Sequence, residues 1–245
     1  MNKDFYKTYF EAEKKHWWFR ARRNIILSLI NKYKIPKTSK IFDLGCGSGY
    51  TVGCLQKLGY DASGADVSAE AIEFGRSKGI RNLWVAHGSE IRPPEGEFDL
   101  ILALDVIEHI QDDSGAIGAV EKALRSEGMA IITVPAYQWL WGVQDEVTHH
   151  FRRYTASSFV KILKQNSKFK IIRKTYFNTF LFPPVAVVRI LSKWFNLKER
   201  ESDFAINNRL LNGIFYFIFN LEVYFLKFLN FQFGVSILFV LKKND

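Results

Sequence analysis

At 245 residues, with 48% hydrophobic and 24% charged side chains, the chain holds enough apolar material to bury a large core in one domain or two. Its two cysteines, Cys46 and Cys54, exclude a disulfide framework and make a reducing compartment the expectation, while charges scattered through Met1 to Phe10 leave no apolar core for a secretory signal. The net charge of +9 is uneven: twelve Lys or Arg lie between Phe151 and Arg200 against the single acid Glu199, a pattern that fits an anionic partner (a phosphorylated or carboxylated substrate, nucleic acid or an acidic membrane surface) and equally a solvated face.

In chain order, Glu13 to Ile26 reads as a helix dense in aromatics, with Trp17, Trp18 and Phe19 as core candidates. Arg22 or Arg23 would reach an anionic group, although helix-surface arginines are mostly solvated. Next comes Ile41-Phe42-Asp43-Leu44-Gly45-Cys46-Gly47-Ser48-Gly49-Tyr50: an apolar strand, an acid, three glycines at every second position, and a helix that resumes at Thr51. Glycines there let bare backbone approach a ligand and tolerate positive φ. A dinucleotide fingerprint would need its third glycine where Tyr50 stands.

The Asp-x-Gly-x-Gly-x-Gly spacing resembles the first motif of class I S-adenosylmethionine-dependent methyltransferases. That resemblance implies cofactor contacts from Asp43, Gly45, Cys46, Gly47 and Gly49. Tyr60 to Asp66 reads as a second strand ending in a carboxylate, and the resemblance makes Asp66 the acceptor of both ribose hydroxyls, with Val67 beside it; Asp66 would also cap the helix beginning near Ser68. After the third strand, Ala86-His87-Gly88-Ser89-Glu90 departs from the family, because Gly88 stands where an acid usually receives the adenine amino group. Ser89 or a shifted Glu90 is the replacement expected there.

Phe98 to Ile110 resembles the family's fourth-strand segment, an apolar run buried on both faces whose C-terminal residues Leu104 and Asp105 open into the cofactor crevice. Within it, Asp105-x-x-Glu108-His109 is similar to the Glu-x-x-Glu-His cluster with which some related O-methyltransferases, including ubiquinone-pathway and small-RNA enzymes, hold a divalent cation. The first acid here is one methylene shorter, and the expectation is no metal, with Glu108 and His109 starting and packing the following helix. An amphipathic helix from Ser114 to Arg125 and a fifth strand, Gly128 to Pro135, complete the alternation that defines an α/β fold.

The loop Tyr137 to Thr155 follows a strand's carboxyl end, where α/β sheets bind ligands, and concentrates Asp145, His149, His150, Arg152, Arg153 and Tyr154. Methyl transfer needs an aligned nucleophile and removal of its proton, so His149 and His150 are the base candidates and Asp145 the orienter or alternate base. Arg152, Arg153 and Tyr154 would hold the acceptor, the arginines through a phosphate or carboxylate. The combination of His-Trp-Trp-Phe near the N-terminus with a His-x-Arg-Arg-Tyr-type loop resembles a methyltransferase type 11-like subgroup of bacterial and archaeal enzymes, many associated with cell-surface polysaccharide or lipid-linked glycan pathways.

Phe169 to Tyr176 looks like the sixth strand and Gly234 to Lys243 the antiparallel seventh. Between them, residues 179–231 form an apolar helical insertion, with helices from Val185 to Trp194 and from Asn207 to Leu229; Asn212, Gly213, Asn220, Glu222 and Lys227 interrupt the second and argue against a membrane span. The expectation is therefore a Rossmann-like sheet of six parallel strands plus antiparallel β7. It divides into an N-terminal capping region (1–37), a methyltransferase domain (38–178 with 232–245) and the insertion. The resemblance implies S-adenosylmethionine as cofactor, S-adenosylhomocysteine as product, and an O or N of a small anionic, glycan or lipid-linked molecule as acceptor. No nucleic acid partner is expected. Residues 181–231 would serve as a peripheral membrane contact at the inner face, a homodimer interface or a lid on an otherwise cytoplasmic enzyme. The competing readings are a noncatalytic cofactor-binding or membrane scaffold and, less favoured, a nicotinamide oxidoreductase.

Overall fold

A computed structural model describes residues 10–86, 97–195 and 208–244. The elements follow in order: α1 (Trp17–Lys32), β1 (Lys40–Leu44), α2 (Tyr50–Lys57), β2 (Asp61–Asp66), α3 (Ala69–Ser77), β3 (Leu83–Val85) and β4 (Phe98–Leu104). After these come α4 (Asp113–Ala123), β5 (Leu124–Pro135), α5 (Val143–Val147), α6 (Ala156–Asn166), β6 (Lys170–Phe177), α7 (Phe182–Trp194), α8 (Arg209–Phe225) and β7 (Ser236–Lys242). Seven strands make one sheet in the order β3-β2-β1-β4-β5-β7-β6, and β7 runs antiparallel to both neighbours. This is the sheet expected from the sequence. Strand order reverses between β1 and β4, so a crevice opens at their carboxyl ends, where doubly wound sheets bind ligands.

The continuous apolar run of β4 has a direct cause. Ile101 and Ala103 point into the core beneath α4 and α6, while Leu100, Leu102 and Leu104 point into the core beneath α1 and α8. Both faces are dry, and alternation disappears. The fourth helix ends earlier than expected, at Ala123, because Leu124 turns extended and pairs with Phe98, so β5 begins four residues before Gly128.

The N-terminal helix also starts later than its pattern suggests. His16 has extended backbone and its imidazole accepts from the Trp18 N–H at 3.3 Å, capping α1, while residues 10–15 form a separate helical segment. The capping interaction is what breaks the run.

The insertion packs on α1 rather than standing apart. The Trp17 ring meets Phe215 and Phe219 edge-on, at 5.6 and 5.8 Å. Asn212 accepts from the Trp17 N–H at 2.8 Å, and Asn24 donates to Asn220 at 2.7 Å and to the Tyr216 hydroxyl at 3.1 Å. The asparagines that interrupt the apolar helix are thus the polar stitches along its buried side. Glu222, fully buried, accepts the backbone N–H groups of Asn178, Thr179 and Phe180 at 2.7, 2.6 and 2.9 Å, tying α8 to the turn that leaves β6. Burial pushes its carboxyl up to about 7 despite those three donors. Among the described residues no helix is long and apolar enough to cross a membrane.

Candidate active site

The glycine turn is built for close approach. Gly45, Gly47 and Gly49 all have positive φ (67°, 54° and 74°). A Cβ on Gly45 would run into Val106, which follows β4, and one on Gly49 would meet Leu83 of β3. The turn is thereby pressed into the crevice between β1 and β4. Asp66 organises it from β2: one carboxylate oxygen accepts the Gly47 N–H at 2.8 Å and the other accepts the Ser68 N–H at 2.9 Å. Each oxygen retains a second lone pair for a ribose hydroxyl. Val67 beside it is exposed. The Cys46 thiol, in contrast, faces inward against Gly64, and burial raises it well above its ordinary value, so Cys46 serves the turn through its main chain. Ser89, Glu90 and the adenine assignment lie outside the described residues.

Sequence reasoning did not assign Glu13 a role. The acid reaches the turn from the helical segment before α1 and accepts the Ser48 hydroxyl at 2.6 Å. Burial pushes its carboxyl up to about 7, and burial together with the charges of Glu13 and Asp66 pushes Asp43 up to about 8, with Arg22 opposing. Carboxyls held protonated by desolvation and mutual repulsion suit a ligand that brings positive charge, and S-adenosylmethionine carries an ammonium and a sulfonium. Cofactor binding then favours the ionised forms and releases protons. Affinity for S-adenosylmethionine is expected to rise as pH increases through about 7 and 8, the values of Glu13 and Asp43, with proton uptake by buffer visible in calorimetry across buffers of different ionisation heat. Affinity independent of pH, or equally pH-dependent in Asp43→Asn, would remove these acids from cofactor binding.

At the mouth of β4, Leu104 is buried and Asp105 takes positive φ (55°). The Asp105 carboxylate pairs with the Arg22 guanidinium, which also donates to the Leu104 carbonyl at 3.4 Å and lies 5.4 Å from the Trp18 ring centre. Arg22 is therefore a built part of the crevice, not a solvated surface residue.

Beyond Asp105, the chain turns through a short 3₁₀ segment, Ile107–His109, that brings Glu108 and His109 beneath the loop after β5. Phe151 donates its N–H to the Glu108 carbonyl at 2.9 Å, which fixes that loop in place. Here the sequence assignments divide. His150 lies inside: Nδ1 is 2.8 Å from Asp145 Oδ1, Nε2 is 3.9 Å from Glu108 Oε1, and its ring meets that of His109 edge-on at 4.5 Å. His149 is exposed, at positive φ (58°), and none of these contacts includes it.

Asp145 is fully buried and also accepts Arg153 twice, at 2.7 and 2.8 Å, and the Gly142 N–H at 2.9 Å. Burial opposes its ionisation, but the hydrogen bonds from His150 and Arg153 and the arginine's charge prevail and hold the carboxyl at about 2. Its contact with Nδ1 places Asp145 where it would orient the His150 ring. Since the carboxylate can only accept, Nδ1 of His150 donates to it, and Nε2 is the nitrogen that faces Glu108.

The structure gives the expected acceptor ligands partners in and around the loop. Arg153 is engaged with Asp145 and with the Ala136 carbonyl at 3.2 Å, Arg152 with Asp113 and the Gln111 carbonyl at 2.9 Å each, and the buried Tyr154 hydroxyl donates to Asp113 at 3.0 Å. All three brace the loop from within.

Glu108, His109 and His150 each offer a ligand atom within 4.8 Å of the others, a grouping that could hold a metal ion; two of its members belong to the Asp105-x-x-Glu108-His109 motif, for which the expectation from sequence is no metal. Neither Glu108 oxygen has a hydrogen-bond partner, and the residue is fully buried; burial and the Asp105 charge raise its carboxyl well above the usual range. Burial also brings His109 down to about 4, aided by His150, so that imidazole is neutral and able to ligate. The Asp145 carboxylate on the far nitrogen of His150 is the outer-shell arrangement that metal-binding histidines use.

The comparisons with known proteins agree with this architecture. The family model described as a methyltransferase domain matches residues 16–173, well over half the chain. A ubiquinone biosynthesis O-methyltransferase of Bartonella bacilliformis is 27% identical over 150 residues, which is 54% of this chain and 60% of that protein. The chain thus matches less than two thirds of that relative's length. Among solved structures, a SAM-dependent methyltransferase from Archaeoglobus fulgidus superposes with a TM-score of 0.56 at 14% identity, covering 96% of this chain and 99% of that one. A Haemonchus contortus phosphoethanolamine N-methyltransferase 2, in complex with phosphomonomethylethanolamine and S-adenosylhomocysteine, gives 0.57 at 15% identity, covering 90% and 52%. With the glycine turn, the carboxylate rim and the seven-stranded sheet in place, the chain belongs to the methyltransferase domain family.

Proposed function

We propose that the enzyme methylates a hydroxyl oxygen, and that Glu108, His109 and His150 form a divalent-cation site that receives the acceptor. The observation that carries this reading is Glu108: a fully buried carboxylate with no hydrogen-bond donor, faced by two imidazole nitrogens. Leaving such a group uncompensated costs several kcal/mol, about the size of the penalty for an unpaired buried ion, and a cation would offset it. The mixed imidazole and carboxylate donors suit Mn²⁺ or Zn²⁺. A bound cation would lower the pKa of an acceptor hydroxyl. The name of the Bartonella bacilliformis relative, an O-methyltransferase, supports oxygen as the acceptor atom.

The chain's own residues supply alignment and shape. The glycine turn and Asp66 would hold the cofactor at the carboxyl ends of β1 and β2, and an acceptor beside His150 would need to be aligned with the sulfur–carbon bond for attack. In such a transfer the O–C bond would form as the S–C bond breaks, S-adenosylhomocysteine would leave as a neutral thioether, and the proton of the acceptor hydroxyl would pass to solvent from the cation-bound oxygen. Tyr137 stacks on Tyr176 at 5.4 Å and on Trp139 at 5.9 Å, giving this side of the loop an aromatic wall suited to a ring-bearing or glycan acceptor.

Thermal unfolding with and without Mn²⁺ or Zn²⁺, after chelation, tests the cation site. The melting temperature is expected to rise with the cation in the wild type and to stay flat in Glu108→Gln, with S-adenosylhomocysteine affinity equal in both. No response to any divalent cation would overturn the metal and favour a second reading, supported by the 2.8 Å Asp145 contact, in which Nε2 of His150 takes the acceptor proton directly.

A further inference from the structure

The α7–α8 insertion uses one side of α8 against α1 and leaves the other bare. Leu210, Ile214, Phe217, Tyr224 and Phe228 recur at helical spacing along the outward side, and all are exposed; Phe217 is 64% and Phe228 86% accessible. α7 adds Val188, Leu191 and Trp194, the last 80% accessible. Scattered apolar residues on a surface need no explanation, but two helices of one insertion that each present an apolar, aromatic side do.

Among the described residues of the insertion the exposed charges have one sign. Lys193, Arg209 and Lys227 are exposed on or beside this face. Within the described stretches 180–195 and 208–233 the sole acid is Glu222, which is buried beneath α8 on three backbone N–H groups. Among the described residues this apolar aromatic face is rimmed by cations, which complements a surface that is apolar within and anionic at its edge. A second copy of the chain docked symmetrically would instead bring the same cations against one another. The geometry of α8 fits an in-plane orientation: 17 residues span about 26 Å at 1.5 Å each, short of the roughly 30 Å hydrocarbon layer, and an end-on crossing would strip α8 from α1.

We propose that the outward face of α7 and α8 docks peripherally on a bilayer bearing anionic lipids, with Trp194, Phe217 and Phe228 entering the interface and Lys193, Arg209 and Lys227 meeting the headgroups. α7 also forms the outer wall of the acceptor loop: Phe182 packs on Tyr137 and Trp139 at 5.8 and 5.9 Å, and Lys193 donates to the Trp139 carbonyl at 2.8 Å. Docking therefore brings the acceptor side of the enzyme to the lipid. The inference stands whatever the acceptor's chemistry.

The test is flotation of the full chain with vesicles of phosphatidylcholine alone or mixed with phosphatidylglycerol, at low and high salt. Binding is expected to be at least about tenfold stronger on the anionic vesicles, to weaken at high salt, and to vanish in Phe217→Ser/Phe228→Ser while that variant binds S-adenosylhomocysteine normally. Two results would overturn the proposal: folded wild-type protein that floats with neither vesicle, or a concentration-dependent dimer that the same two substitutions dissociate. If the double variant loses cofactor binding, Lys193→Glu/Lys227→Glu provides the second readout, with loss of anionic preference expected and unchanged flotation counting against docking.

Discussion

Asp145→Ala is expected to destabilise the fold by about 3–5 kcal/mol, the cost of removing one partner from a buried ion pair. Asp145 is fully buried, and its loss leaves the Arg153 guanidinium, itself buried, without its anion, frees the Gly142 N–H that opens α5, and releases the His150 ring. Denaturant unfolding measures the loss as a lower midpoint at unchanged slope. Because the folded carboxyl titrates at about 2, below its ordinary 3.8, the stabilisation is complete above that ordinary value and disappears as pH falls through about 2. Asp145→Asn keeps the shape, so it should lose less stability than the alanine variant yet abolish this acid dependence. Equal stability of wild type and Asp145→Ala would show that the pair does not hold the loop.

His150→Ala should reduce turnover by about 10²-fold or more, the usual contribution of a positioned base or of an equivalent ligand, with S-adenosylhomocysteine affinity unchanged. His149→Ala should have little effect, since that side chain is exposed and none of the contacts around Glu108 includes it. The two roles of His150 part in the pH profile. If Nε2 takes the proton itself, the ascending limb of turnover disappears in the variant; if it ligates a cation, added metal restores part of the activity and the limb persists. Full activity in His150→Ala would remove the residue from the reaction, and a parallel fall in cofactor affinity would place it in the wrong pocket.

The cofactor half was legible from sequence because its chemistry is local. Three glycines within five residues, an acid closing β2 and an apolar run of strand length each carry their own physical reason, and each stands where it was expected. The acceptor half was legible only as a list. Asp145 and Arg153 were read separately, one as orienter or alternate base and one as anion ligand, yet they bind each other: eight residues apart on a loop, they meet only because α5 and the chain after His150 fold back. Glu13 and Ser48 are 35 positions apart, and no local signal links them. The cation grouping divides in the same way: the Glu108-His109 pair is a sequence motif, whereas His150 joins it through a backbone hydrogen bond from Phe151 to Glu108.

Glu222 has a consequence for how the insertion can change. Its hold on the protein is one carboxylate gripping the main-chain N–H groups of Asn178, Thr179 and Phe180. Main-chain donors come with every residue except proline. The attachment is thus indifferent to which side chains occupy that turn, and it makes no demand on the outward side of α8. A protein fastened this way can exchange the surface it shows to its surroundings, residue by residue, for another of different chemistry while the catalytic sheet beneath keeps its register. Within the turn itself, proline at any of the three positions is the change the arrangement does not tolerate.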